Sequence, residues 1–137
     1  MKIFIDTNIF LDLILKREFY KESLIIFNAI EKDIFEGIIL DITLLNIDYI
    51  AKKQIKDIQE FLLLVNSLFK IYGADNSMIK KALEINNPDL EDNLQYVCAE
   101  KLDCACIISN DKKFYSMGRI PILTSEKFIH KYINKGE

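Results

Sequence analysis

Apolar residues along this chain follow two patterns. Ile3-Phe4-Ile5, Ile38-Ile39-Leu40 and Cys104-Ala105-Cys106-Ile107-Ile108 are apolar at every position. A short run without alternation marks a strand buried on both faces. Ile120-Pro121-Ile122-Leu123 is a further short candidate, as is Leu68-Phe69-Lys70-Ile71-Tyr72, which alternates weakly and stops at Gly73. Elsewhere the apolar residues recur at helical spacing. Helices are predicted from about Ile9 to Lys16 and from Tyr20 to Asp33, the latter with Tyr20, Leu24, Phe27 and Ile30 on one face. Asp41 and Thr43 open another, carrying Leu44, Leu45, Ile47, Ile50 and Ala51. Asp57 to Ser67, Asn76 to Ile85, Asp89 to Leu102 and Thr124 to about Asn134 complete the set, with a turn at Asn86-Asn87-Pro88. Strands separated by helices imply an α/β fold: a parallel sheet with helices on both faces. No repeat, low-complexity tract or linker interrupts residues 1–137, so one domain is expected.

Composition narrows this picture only modestly. Half of the 137 residues are hydrophobic, which supports a substantial core. The net charge of −3 supplies no global basic field to attract nucleic acid. A metal-dependent nuclease needs acids in its cleft and bases only at the rim, so RNA stays open as a substrate. Asp6 interrupts the opening apolar run too early for a signal peptide, and no apolar stretch approaches the ~20 residues of a membrane span. A cytoplasmic location without membrane contact is the expectation. Cys98, Cys104 and Cys106 are odd in number and poorly spaced for zinc, and read as core residues. His130 is the only histidine, and a Ser-His-Asp mechanism has no support.

Three carboxylates recur in similar settings. Asp6 and Asp111 each follow a buried strand, and Asp92 lies in the first turn of a helix. If the two strands are neighbours, Asp6 and Asp111 leave the same carboxyl edge of the sheet, where α/β proteins bind ligands. A helix starting at that edge brings Asp92 to them. Carboxylates meeting there repel one another unless a cation intervenes, and hard oxygen ligands suit Mg²⁺ or Mn²⁺. The competing reading is helix capping: Asp89, Asp6 or Asn8 as caps, and Asp111 in a short turn. Spacing alone leaves both readings open.

The opening Ile3-Phe4-Ile5-Asp6-Thr7-Asn8-Ile9-Phe10-Leu11-Asp12 resembles the N-terminal signature of the PIN domain, the fold of VapC-type toxin ribonucleases. Glu91-Asp92-Asn93-Leu94-Gln95-Tyr96 with Ala99, then Ile107-Ile108-Ser109-Asn110-Asp111 with Phe114, is similar to the family's C-terminal acidic region. The ending Ile120-Pro121-Ile122-Leu123-Thr124 extends the likeness across the whole chain. The resemblance implies a three-layer α/β sandwich whose central parallel sheet has four or five strands. It implies a metal-dependent endoribonuclease, with Asp6, Asp92 and Asp111 as catalytic metal ligands and Asn8 and Ser109 as orienting neighbours. Asp89 is a weaker candidate at the same site. It further implies Mg²⁺ or Mn²⁺ as cofactor, RNA as substrate, a cognate antitoxin as partner and a homodimer.

One departure bears on activity. The family's second acid, usually Glu, falls at Asn46, a neutral ligand that cannot act as a base. Asp48, two residues on, faces another side of the helix. This motivates a second reading, a catalytically weakened PIN fold that binds RNA or a protein without cutting. A third reading is a nuclease acting on structured DNA. Lys16-Arg17 and Lys112-Lys113 are the candidate RNA-phosphate contacts, against a background of Lys52-Lys53, Lys56 and Lys80-Lys81 that reads as solvated surface. Tyr49, Tyr96 and Tyr115 could stack on bases or pack in the core and rim.

Overall fold

The computed structural model describes residues 1–134. Its elements run β1 (Lys2–Ile5), α1 (Thr7–Ile14), α2 (Tyr20–Glu31), β2 (Glu36–Leu40), α3 (Asp41–Ala51), α4 (Ile58–Leu68), β3 (Lys70–Tyr72), α5 (Asn76–Glu84), α6 (Leu90–Lys101), β4 (Cys106–Ile108), β5 (Ile122–Leu123) and α7 (Ser125–Phe128). α7 continues as a wider π-helical turn over Ile129–Ile133. The sheet has five strands in the order β3-β2-β1-β4-β5, and every pairing is parallel.

The non-alternating runs are explained by the two faces of this sheet. Ile3 and Ile5 of β1, Ile39 of β2, and Cys106 and Ile108 of β4 pack with α1, α2, α3, α4 and α7. Phe4, Ile38, Leu40 and Ile107 point the other way, onto α5 and α6. Both sides of each strand are therefore apolar because both are covered, which gives the three-layer sandwich. Phe4, Ile38, Ile39, Leu40 and Ile107 are fully buried, each contributing roughly 1.5–3 kcal/mol of transfer free energy. All three cysteines are buried, Cys106 on the first face of the sheet and Cys98 and Cys104 on the second, and burial pushes their thiols up to about 12, 11 and 12 for Cys98, Cys104 and Cys106.

The face expected for α2 is corrected by the structure. Leu24 is exposed, and Ser23, Ile26, Phe27, Ala29 and Ile30 form the buried side. Phe27 and Ile30 are buried as expected, with the Phe27 ring 5.7 Å from Phe69 between centroids, and Phe69 packs edge-on to Phe10. Three helices end in the same hydrogen-bonded hook. After α1, α2 and α6, residues Lys16, Asp33 and Asp103 adopt left-handed backbone (φ 51°, 60° and 55°). The following N–H then reaches back five residues, as in Arg17 to Asp12, Ile34 to Ala29 and Cys104 to Ala99, each 2.9 Å. Among the described residues no helix is long and apolar enough to cross a membrane.

Candidate functional site

The strand order reverses direction at β1: β2 and β3 lie to one side, β4 and β5 to the other. The carboxyl ends of β1 and β4 therefore flank the topological switch point, the usual ligand crevice of such sheets. Asp6 follows β1 there. It occupies the cap position of α1, yet its side chain makes no capping bond. Its carboxylate is instead held across the crevice. Gln95 Nε2 on α6 donates to Oδ1 at 3.1 Å, and Ser109 Oγ after β4 donates to Oδ2 at 2.8 Å. Asp6 is 2% exposed, and burial pushes it up to about 6, against the two donors and aided by the charges of Glu91 and Asp111.

Asp92 comes from the first turn of α6. Asp89 caps that helix by accepting the Asp92 backbone N–H at 3.1 Å, so the capping reading holds for Asp89. The Asp92 side chain has no such use. Its Oδ2 is buried and has no hydrogen-bond partner among the described residues. Burial first, then the charges of Asp6, Asp89, Asp111 and Glu91, push it up to about 8. Asp111 sits in the loop after β4, where its N–H donates to Ser109 Oγ at 3.2 Å and its Oδ1 accepts the Lys113 N–H at 2.9 Å. Ser109 thus ties the Asp6 carboxylate to the Asp111 backbone. Asp92 and Asp111 line one cavity of about 660 Å³, together with Asn87, Asp89 and Lys113.

The structure brings Asp6, Asp92, Asp111, Asp89 and Ser109 to one edge of the sheet. Asn8 is exposed on α1, and the donors holding Asp6 are Gln95 and Ser109. Asn46 is half-buried on α3, one turn beyond the buried Thr43. Lys112 and Lys113 are exposed, directly following Asp111, and Lys113 borders the acidic cavity. Lys16 and Arg17 follow the far end of α1, with Arg17 acting on the Asp12 carboxylate. Tyr96 is buried, its hydroxyl accepting the Ile120 N–H at 3.1 Å and its ring edge-on to Tyr115, so it serves packing. Two features of the site escaped the sequence: Gln95, and a chain in which Thr7 Oγ1 donates to Glu91 Oε2 at 2.9 Å and lies 3.3 Å from Thr43 Oγ1. Helical spacing holds a signal for part of this, because Glu91 and Asp92 lie four and three residues before Gln95 and share its side of the helix.

Among the described residues no three His, Cys, Asp or Glu side chains form a group able to hold a metal ion as they stand. The residues nonetheless fit a cation in charge and in one vacant bond. Both Asp6 oxygens are engaged by donors, whereas the buried Asp92 Oδ2 is orphaned and every neighbour acting on it is an acid. A buried carboxylate oxygen without a donor is costly unless a cation completes it.

Comparison with known proteins agrees with this architecture. The PIN domain family matches residues 2–113. The chain is 32% identical over 142 aligned positions to Ribonuclease VapC1 of Aquifex aeolicus (strain VF5), covering 96% of this chain and 95% of that protein. Among solved structures, a toxin–antitoxin complex from Klebsiella pneumoniae superposes with a TM-score of 0.66 at 21% identity, over 90% of this chain and 97% of that one. VapBC2 from Rickettsia felis, bound to a DNA fragment from its promoter, also gives 0.66, at 18% identity over 90% and 98%.

Proposed function

This chain belongs to the PIN-domain family, and from that premise we propose that it is a metal-dependent endoribonuclease, the toxin of a toxin–antitoxin pair. The observation that carries the reading is the orphaned, buried Asp92 oxygen set among acids at the switch point of the sheet. The ribonuclease relative supports the substrate class, and the toxin–antitoxin complexes support a protein partner. Large exposed side chains on α3 and α4, Leu45 (69%), Tyr49 (66%) and Leu63 (66%), also suit a protein partner, whether an antitoxin or a second copy.

Asp6, Asp92 and Asp111 would hold a hard divalent ion of the Mg²⁺ or Mn²⁺ type. When bound, the ion neutralises charge on an RNA phosphodiester and acidifies water for its hydrolysis. The chain's own residues do the rest. Ser109 and Gln95 fix the plane of the Asp6 carboxylate, and Ser109 also anchors the loop that carries Asp111. Asp89 holds the first turn of α6, so Asp92 enters the crevice from a rigid helix start. Thr7 restrains Glu91 beside the crevice, adding negative charge without occupying it. Lys113 borders the acids and offers a cation to an incoming phosphate. The test is cleavage of a single-stranded RNA panel with Mg²⁺ and with Mn²⁺. Loss of cleavage in Asp6→Asn and Asp92→Asn is expected, and activity that survives both changes overturns the assignment.

A second reading is a weakened site that binds RNA or protein without cutting. It is favoured by the neutral Asn46 together with the lack of a ready three-acid group among the described residues. Asn46→Glu separates the two readings. A large gain in Mn²⁺ affinity and cleavage favours degeneration, and no gain favours a competent Asn-type site.

A further inference from the structure

Asp111 is shared by two cavities. On one side lies the acidic cavity already described. On the other lies a cavity of about 180 Å³ whose polar lining includes Asp111, Lys112, Ser116, Thr124 and Lys127. Asp111 is the sole acid of that lining, against two lysines and the hydroxyls of Ser116 and Thr124. The consecutive lysines after Asp111 diverge: Lys113 borders the acidic cavity and Lys112 the polar one. Lys127 reaches the second cavity from α7, fifteen residues further along the chain. Its volume is about that of six waters, below the ~300 Å³ at which drug-sized pockets begin. It is large enough for a phosphate group.

We propose that this cavity seats the phosphate adjacent to the scissile one, so that the RNA backbone crosses over Asp111 with Lys113 on one side and Lys112 and Lys127 on the other. The inference rests on the ribonuclease reading above and deepens it by assigning a substrate-positioning role to Lys127, together with Lys112. A strand held at two points flanking Asp111 is bound more tightly across the acids in substrate and transition state alike, which lowers KM and leaves kcat nearly unchanged. An anion there sits in a lining that carries Lys112 and Lys127 with Ser109, Asn110, Ser116 and Thr124, while its neighbour faces the carboxylates.

The probe is a mixed-sequence 20-nucleotide single-stranded RNA, made also with one neutral methylphosphonate on either side of the cleaved bond. Lys127→Ala keeps the helix cap, because the Thr124 Oγ1 bond at 3.1 Å uses the Lys127 backbone N–H. Lys70→Ala, on the opposite edge strand β3, is the control. Lys127→Ala and Lys112→Ala are expected to raise KM about tenfold each, the effect of removing one charge-assisted hydrogen bond, with kcat within about twofold. The slope of log affinity against log salt falls by ~0.7 for each phosphate that the variant no longer neutralises. Wild type binds more weakly when one flanking phosphate is neutral, and Lys127→Ala is weakened no further by the same substitution. If wild type cuts RNA and Lys127→Ala behaves as Lys70→Ala, or its defect follows no single phosphate, the subsite is overturned and the ribonuclease reading stands. If wild type cuts no RNA with either metal, both fall.

Discussion

Replacing Asp92 with Asn removes a charge and keeps the shape, and it should stabilise the metal-free protein. The folded chain holds the Asp92 proton up to about pH 8, whereas the ordinary carboxyl releases it at 3.8. Between those values the native state binds more protons than the unfolded state, so stability falls as pH rises through the window. At 1.36 kcal/mol per pH unit, a rise of about four units sets a ceiling of about 6 kcal/mol. Relaxation of the side chain toward the open cavity and partial protonation of Asp6 relieve some of that, leaving about 3 kcal/mol at pH 8. For a domain of this length that is a Tm gain of about 10 °C. The gain shrinks to about a third at pH 5 and vanishes below pH 4, where Asp92 is protonated in both states. The assay is thermal unfolding of EDTA-treated wild type and Asp92→Asn from pH 4 to 9. Saturating Mn²⁺ should then raise the wild-type Tm, by about 2.7 kcal/mol of linkage at a hundred times Kd, and leave the variant unmoved. A variant less stable than wild type at pH 8, or a gain equal at pH 5 and pH 8, refutes the reasoning. Either result means that the carboxylate is satisfied in the apo protein.

Ser109→Ala removes the shorter of the two donors to Asp6, so the Asp6 carboxyl rises further above about 6. The acid limb of the cleavage–pH profile should move to higher pH, with activity recovering in alkaline buffer; an unmoved limb refutes the role. Asp33 is exposed and left-handed at φ 60°, so Asp33→Gly relieves about 1 kcal/mol of backbone strain and should raise Tm by a few degrees in a thermal melt. Gly37→Ala does the opposite: a Cβ there meets Phe69 ring carbons at 2.6 Å and Ile30 Cδ1 at 3.0 Å. A fall of about 1–3 kcal/mol in urea unfolding is expected, and a neutral change shows that Phe69 yields freely.

The sheet was legible because its strands are covered on both sides. Ile3-Phe4-Ile5 and Ile38-Ile39-Leu40 can be apolar throughout only where each face has a layer of helices. Asp6 and Asp111 were legible for a related reason, since a carboxylate ending such a run sits where the sheet ends. The stripe on α2 was misread because helical periodicity fixes spacing and leaves rotation to tertiary contacts. There Ser23, Ile26 and Ala29 join Phe27 and Ile30 on the inward side, and Leu24 is left in water. α6 was legible as a helix, Leu90–Lys101 against the expected Asp89 to Leu102, but the role of Gln95 within it was not. Every residue from Asp92 to Ala99 is buried, so its polar members leave no polar face to notice. Gln95 reads as an interruption of an apolar stripe until Asp6 is placed opposite it.

That buried helix also bears on how Asp92 is held within reach of the charges of Asp6 and Asp111. α5 and α6 are locked together by Asn93, whose Nδ2 donates to the Ala82 carbonyl at 3.3 Å and the Asn87 carbonyl at 2.9 Å. Its Oδ1 accepts from Asn87 Nδ2 at 2.8 Å, which pins the turn preceding Asp89. The start of α6 therefore cannot swing away to relieve the charge on Asp92, although the residue is raised to about 8. What side-chain relaxation toward the cavity leaves unrelieved falls to a proton or to a cation, and which one wins depends on pH. The orphaned oxygen of Asp92 and the fixed helix start are thus two sides of one device. The fold holds the carboxylate where ionising it is unfavourable alone, and under the proposed function a bound divalent ion would reverse that preference.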